Sequence, residues 1–215
     1  MSQKLAKLFA GIVVLALFSG CALLGKNTQT SVYKRDDVDT SNSKVIVFPL
    51  LLKSGANFAE ANKSADNKTL DALVGTGWTD ELGTEDAIII PKAIVSEIPQ
   101  GWEILGQFVR VLDSASAIEQ SMDNPEVKKF VEELSSKAGD GALGFALVFE
   151  DENQFKATNT LHGNMGLFDT KKLTWKWITK YKNQYKLPVP YQMAIKDLFA
   201  ESWKTIKAEN DGKIK

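Results

Sequence analysis

Val45-Ile46-Val47-Phe48-Pro49-Leu50-Leu51 decides the fold of this chain. It is β-branched and almost continuously apolar, the pattern of a strand buried on both faces. Pro49 has no amide proton to give a neighbour, so the regular ladder is expected to break there. Two further runs have the same character, Ala87-Ile88-Ile89-Ile90 and Ala142 to Phe149 (ALGFALVF). Each is read as another buried strand. Strands buried on both faces need helices above and below them.

The helices lie between these runs. Leu70, Leu73, Val74, Gly77 and Trp78 recur at helical spacing, with Asp66 or Asn67 as a cap. Residues 54–66 before them are rich in turn formers and read as a loop. Leu105, Phe108, Val109 and Leu112 form one apolar stripe, and Val127, Phe130, Val131 and Leu134 form a second. The second is punctuated by Asn124 as cap, Pro125 at the first helical position and Gly139 after the end.

After residue 150 the pattern changes. Thr160–Phe168 and Leu173–Lys182 read as two antiparallel strands joined by Asp169-Thr170-Lys171-Lys172. Alternation puts Leu173, Trp175, Trp177, Thr179 and Tyr181 on one face, with Thr174, Lys176 and Lys180 on the other. A last helix follows Pro188 and Pro190, with Tyr191, Ala194, Ile195, Leu198 and Ile206 facing inward. The order predicts an α/β fold. Its mixed sheet has parallel central strands, an antiparallel carboxy-terminal hairpin and flanking helices.

Upstream of this domain stands the only cysteine, Cys21. Lys4 and Lys7 precede an apolar run, Leu8–Phe18, and Ser19-Gly20 lead into the cysteine. That is a secretory signal whose cleavage point meets Cys21. The run is shorter than the ~20 residues a membrane span needs. Leu17-Phe18-Ser19-Gly20-Cys21 resembles the lipobox of bacterial lipoproteins, with Phe18 where that family usually has Leu. The resemblance implies that residues 1–20 are removed and that Cys21 is acylated. A multiply acylated terminus is a stable anchor, since each buried methylene contributes about 0.8 kcal/mol. In the enterobacterial version of that family Asp after the cysteine retains the protein in the inner membrane, so the resemblance, with Ala22 at this position, implies the outer membrane and a domain facing the periplasm. Residues 21–43 then read as the lipidated cysteine and a flexible tether, 44–206 as one periplasmic α/β domain, and 207–215 as a polar tail.

The chain has 26 basic and 27 acidic side chains, and residues 1–20 carry two basic ones and no acid. The mature chain therefore has a net charge near −3. That balance argues against nucleic acid as a partner.

Four local patterns belong together: the cysteine with its tether, Lys44-Val45-Ile46-Val47-Phe48-Pro49, the helix running into Gly139-Asp140-Gly141-Ala142-Leu143, and the hairpin Gly166–Trp175. In these patterns the chain resembles the curli-transport lipoprotein superfamily, which includes activators of penicillin-binding proteins. The resemblance implies an envelope lipoprotein that binds protein partners. The channel-forming members insert long hairpins into the membrane, and no pair of strands here reads as extended enough for that.

No catalytic, metal or cofactor site is read from the residues. Gly139-x-Gly141-x-x-Gly144 leaves a helix and enters a strand, the reverse of a dinucleotide loop, so it reads as a helix stop. His162 is the only histidine and has no ligand partner at metal spacing. Asp151-Glu152 and Glu132-Glu133 read as solvating pairs. Asn62-Lys63-Ser64 and Asn67-Lys68-Thr69 match a glycosylation pattern that a bacterial chain does not use. Trp175, Trp177 and Tyr181 are core if a helix covers them and a partner surface if it does not. The expected function is a non-enzymatic, lipid-anchored module that regulates or scaffolds an envelope complex. Alternatives are an oligomeric subunit of an export assembly, and a small-ligand carrier or hydrolase.

Overall fold

The computed structural model describes residues 26–37, 44–52, 58–64, 68–83, 85–90, 92–113, 124–139, 141–148 and 157–210. One seven-stranded mixed sheet organises them. In chain order its strands are β1 (Lys26–Lys34), β2 (Val45–Val47), β3 (Leu51–Leu52), β4 (Ala87–Ile89), β5 (Ala142–Val148), β6 (Ala157–Asp169) and β7 (Thr174–Pro190). The spatial order is β1-β7-β6-β5-β2-β4, with β3 beside β5. β2 pairs in parallel with both β4 and β5, while β5, β6, β7 and β1 pair antiparallel. The α/β class and the mixed sheet are as the sequence predicts.

The apolar run 45–51 behaves as Pro49 demands. β2 stops at Val47, the Phe48 amide donates to Gly144 O at 3.0 Å, and pairing with β5 resumes at Leu51.

Helices cover both faces. On one side α2 (Lys68–Leu82) and α6 (Tyr191–Asn210) bury Trp78 and Trp203 against Trp177. Trp78 stacks on Trp177 with ring centroids 5.8 Å apart, and Trp203 meets both edge-on. On the other side α1 (Phe58–Ser64), α3 (Lys92–Ser96), α4 (Gly101–Val109) and α5 (Pro125–Ala138) enclose a second core. Its centre is Phe108, packed among Phe145, Phe168 and Trp175 at 4.9–5.4 Å. Such aromatic pairs contribute about 0.5–1.5 kcal/mol each beyond their buried area. α5 starts and stops as its punctuation predicts. Asn124 Oδ1 accepts the Glu126 amide at 2.9 Å, and Gly139 leaves the helix at φ 94°.

Four expectations are corrected. Residues 21–43 do not form a tether throughout, because β1 runs antiparallel to β7 from Lys26↔Tyr185 to Lys34↔Trp177. The pairing supplies the backbone partners that a polar segment cannot supply itself. The strand turns Thr28, Thr30 and Val32 partly inward and leaves Gln29 and Ser31 exposed. Residues 54–66 are not all loop. α1 forms there because the buried Asn62 side chain bonds both the amide and the carbonyl of Leu52. β4 is not buried on both faces, since it is the sheet's edge strand and leaves Ile88 and Ile89 36% and 47% exposed. Finally, β6 and β7 have 13 and 17 residues, longer than read from sequence. They lie inside the sheet, with the long α6 packed across them.

Candidate functional site

Trp175, Trp177 and Tyr181 do not form a partner surface. They are 0%, 4% and 2% exposed. Nor do they share a face. Leu167 pairs with Trp177 and Phe168 with Trp175, so Lys176 is an extra residue on β7. This bulge puts Trp175 into the Phe108 core and Trp177 with Tyr181 into the α2/α6 core. The pairing partner, not the sequence alternation, decides each face.

The open surface lies on the other face of the same strands. Among the described residues, α1 and α3–α5 pack over the β5 half of that face, while the outer rows of β6, β7 and β1 carry exposed side chains. There Lys180, Lys182, Gln184 and Lys186 are exposed at every second position of β7. Lys182 pairs with His162 on β6 and with Gln29 on β1, while Lys180 pairs with Asn164 and Ser31. A shallow open hollow of about 420 Å³ lies over these rows. No carboxylate is among its described lining residues.

Asn164 closes the hollow toward the core. It is buried, and its Nδ2 donates to the Leu112 carbonyl at the end of the 3-10 turn Arg110–Asp113. That bond ties the floor of the hollow to the helical layer. His162 is exposed beside Lys182. Partial burial, and then the Lys182 charge, hold its imidazole below the usual histidine range. The formal positive charge of the surface is carried by Lys180 and Lys182. The arrangement can attract an anion and donate hydrogen bonds to it.

The Lys-Tyr alternation of residues 180–186 (KYKNQYK) was the available signal for this face. Ending the strand at Lys182 hid it. Asn183 interrupts the apolar pattern, yet it is fully buried and its Oδ1 accepts from Thr28 Oγ1 at 3.1 Å.

The other singled-out residues have structural settings. Gly139, Gly141 and Gly144 end α5 and admit β2 closely. A Cβ on Gly141 would lie 2.5 Å from Lys44 O. On α5, Glu132 is exposed and Glu133 half-buried. Among the described residues no group of three acidic, histidine or cysteine side chains is placed to hold a metal ion. Cys21, Asp151-Glu152 and the tail beyond Asn210 lie outside the described residues.

No family model matches the chain, and no protein of curated function matches it. Among solved structures, a PelC dodecamer from Paraburkholderia phytofirmans is 10% identical with a TM-score of 0.41, covering 81% of this chain and 94% of that one. A dodecamer of a PelC variant from the same organism is 9% identical with a TM-score of 0.42, covering 81% and 93%. At this distance the likeness says nothing of ligand or partner.

Proposed function

We propose that this chain is a lipid-anchored protein of the bacterial cell envelope. It is held at the outer membrane by acylated Cys21 and faces the periplasm. It acts there as a non-enzymatic module that binds and regulates or scaffolds an envelope complex. The observation that carries this reading is the run Leu8–Phe18 ending in Ser19-Gly20-Cys21, the chain's only thiol. The open face of Lys180, Lys182 and His162 supports a binding role. It offers charge and hydrogen-bond donors to a partner.

Intact-mass measurement of membrane-extracted protein tests the anchor. A chain beginning at Cys21 with added acyl mass is expected, and an unacylated chain overturns the reading. Crosslinking in intact cells tests the module. Recovery of envelope proteins is expected, while recovery of this chain alone with several crosslinkers counts against it.

A second reading, an oligomeric subunit of an export assembly, is favoured by one feature. Ile88 and Ile89 stand exposed on the unpaired edge strand β4, where another strand can add. Mass photometry in detergent separates the two readings, because a monomer leaves the second without support.

A further inference from the structure

We infer that the corner of the domain holding Lys26, Lys186 and Leu187 rests on an anionic phospholipid surface, with Lys182 and Lys180 continuing the contact along the open face. This rests on the lipid anchor proposed above.

Chain length carries the first part of the argument. Only residues 22–25 separate Cys21 from the first residue of β1. Five Cα–Cα steps cannot span more than about 18 Å in any conformation. An acyl chain on Cys21 thus holds Lys26 within that distance of the headgroups. Lys26 pairs with Tyr185, about 5 Å away, so Lys186 and then Leu187 follow diagonally across the ladder, Leu187 at about 7–8 Å.

The chemistry of that corner carries the second part. Leu187 is 58% exposed, the most of any described large apolar side chain. It follows directly on the exposed Lys186. An apolar side chain among lysines suits the headgroup boundary, where the apolar part enters and the ammonium groups stay at the phosphates. Lys26 is balanced by Asp197 at 3.3 Å and Glu201 at 3.4 Å, and β7 adds further exposed lysines beside it. There the exposed lysines 180, 182 and 186 lie along one strand face, spaced by multiples of about 6.7 Å. A polybasic patch is the second signal that a membrane-held domain uses to fix its orientation.

The opposite end of the hairpin is the internal control. The turn at Lys171 lies past Trp175, ten residues along β7 from Tyr185, or about 33 Å of strand. The test uses the acylated full chain, its acyl mass verified, in vesicles of phosphatidylcholine with one part in three phosphatidylglycerol. Environment-sensitive labels are placed on Leu187→Cys and, separately, Lys171→Cys; acylated Cys21 does not react. A lipid-borne quencher is expected to quench the label at 187 several-fold more than that at 171. Lys182→Glu with Lys186→Glu should remove the difference while the protein stays vesicle-bound through its lipid. Equal quenching at the two positions in acylated protein overturns the inference and leaves the anchor standing. Absence of acyl mass overturns both. Protection of the 187 label by soluble polyglutamate, with no response to vesicles, also overturns it and assigns the face to an acidic polymer.

Discussion

Trp175 and Trp177 lie on opposite sides of the sheet although one residue separates them. Trp175 stacks on Phe108 at 5.1 Å, and Trp177 stacks on Trp78 at 5.8 Å. Each is the anchor of one core, and the bulge at Lys176 is what lets residues two apart serve both. Deleting Lys176 should close the bulge and keep both indoles buried, because consecutive strand residues already face opposite sides of the sheet and Trp175 and Trp177 would still pair with Phe168 and Leu167. The expected result is retention of the near-ultraviolet circular dichroism of the buried tryptophans and of a cooperative urea transition. Lys176→Ala keeps the bulge and should change stability by no more than about 1 kcal/mol. A deletion variant that loses the tryptophan signal would contradict this register.

Asn62 makes three bonds from a fully buried position. Its Oδ1 accepts the Leu52 amide at 2.9 Å, and its Nδ2 donates to Leu52 O and Phe58 O, both at 2.8 Å. It closes the end of β3 and holds α1 in place. Asn62→Ala leaves the backbone groups of Leu52 without these partners and should cost about 2–4 kcal/mol. Asn62→Asp keeps the acceptor, loses both donors and buries a charge, so it should be at least as costly at neutral pH. Urea midpoints of the two variants check the order.

The same residue shows why parts of the fold were hidden in the sequence. The segment around α1 reads as loop because its helix is held by a tertiary contact, and Asn is a turn former in isolation. β1 was hidden for a related reason. An edge strand with one open face needs no apolar run, and KNTQTSVYK shows only the faint inward set Thr28, Thr30 and Val32. By contrast α5 was legible, because Asn124, Pro125 and Gly139 act locally. The lysine face was half legible. Its spacing is in the sequence, but whether a helix covers it is a property of the layers. Ile88 and Ile89 make the converse point, since an apolar run specifies a strand without saying whether it is central or at an edge.

Gly77 marks the close approach of α2 to α6. A Cβ there would lie 2.5–2.9 Å from ring carbons of Phe199, and the Gly77 carbonyl accepts the Trp203 indole at 2.9 Å. On an exposed helix Gly→Ala gains about 1 kcal/mol. Here the sign should reverse, with Gly77→Ala costing about 1–3 kcal/mol through overpacking. Phe199→Leu should recover part of that loss in the double variant, read as a coupling free energy from urea unfolding. A stabilised Gly77→Ala single variant would contradict the observed helix contact.

Two buried tyrosines set the alkaline limit of the fold. Burial raises the Tyr185 hydroxyl to about 12, and its bond to Asp197 Oδ2 at 2.9 Å adds to the shift. Burial also raises Tyr181, which lies in the same core. In the unfolded chain both titrate near 10. A phenol whose folded value is raised binds its proton more tightly in the native state. Its contribution is therefore complete below about pH 10 and is lost as pH climbs toward the folded value. Stability should be flat across neutral pH in this respect. Above about pH 10 it should fall by up to ~1.4 kcal/mol per unit for each tyrosine. Tyr185→Phe should lower stability by about 1 kcal/mol at neutral pH, through the lost bond to Asp197, and yet make the alkaline decline shallower. Urea midpoints between about pH 8 and 11, followed with phenolate absorbance, measure both effects. A midpoint that stays level above pH 10 would place the two hydroxyls in water rather than under α6.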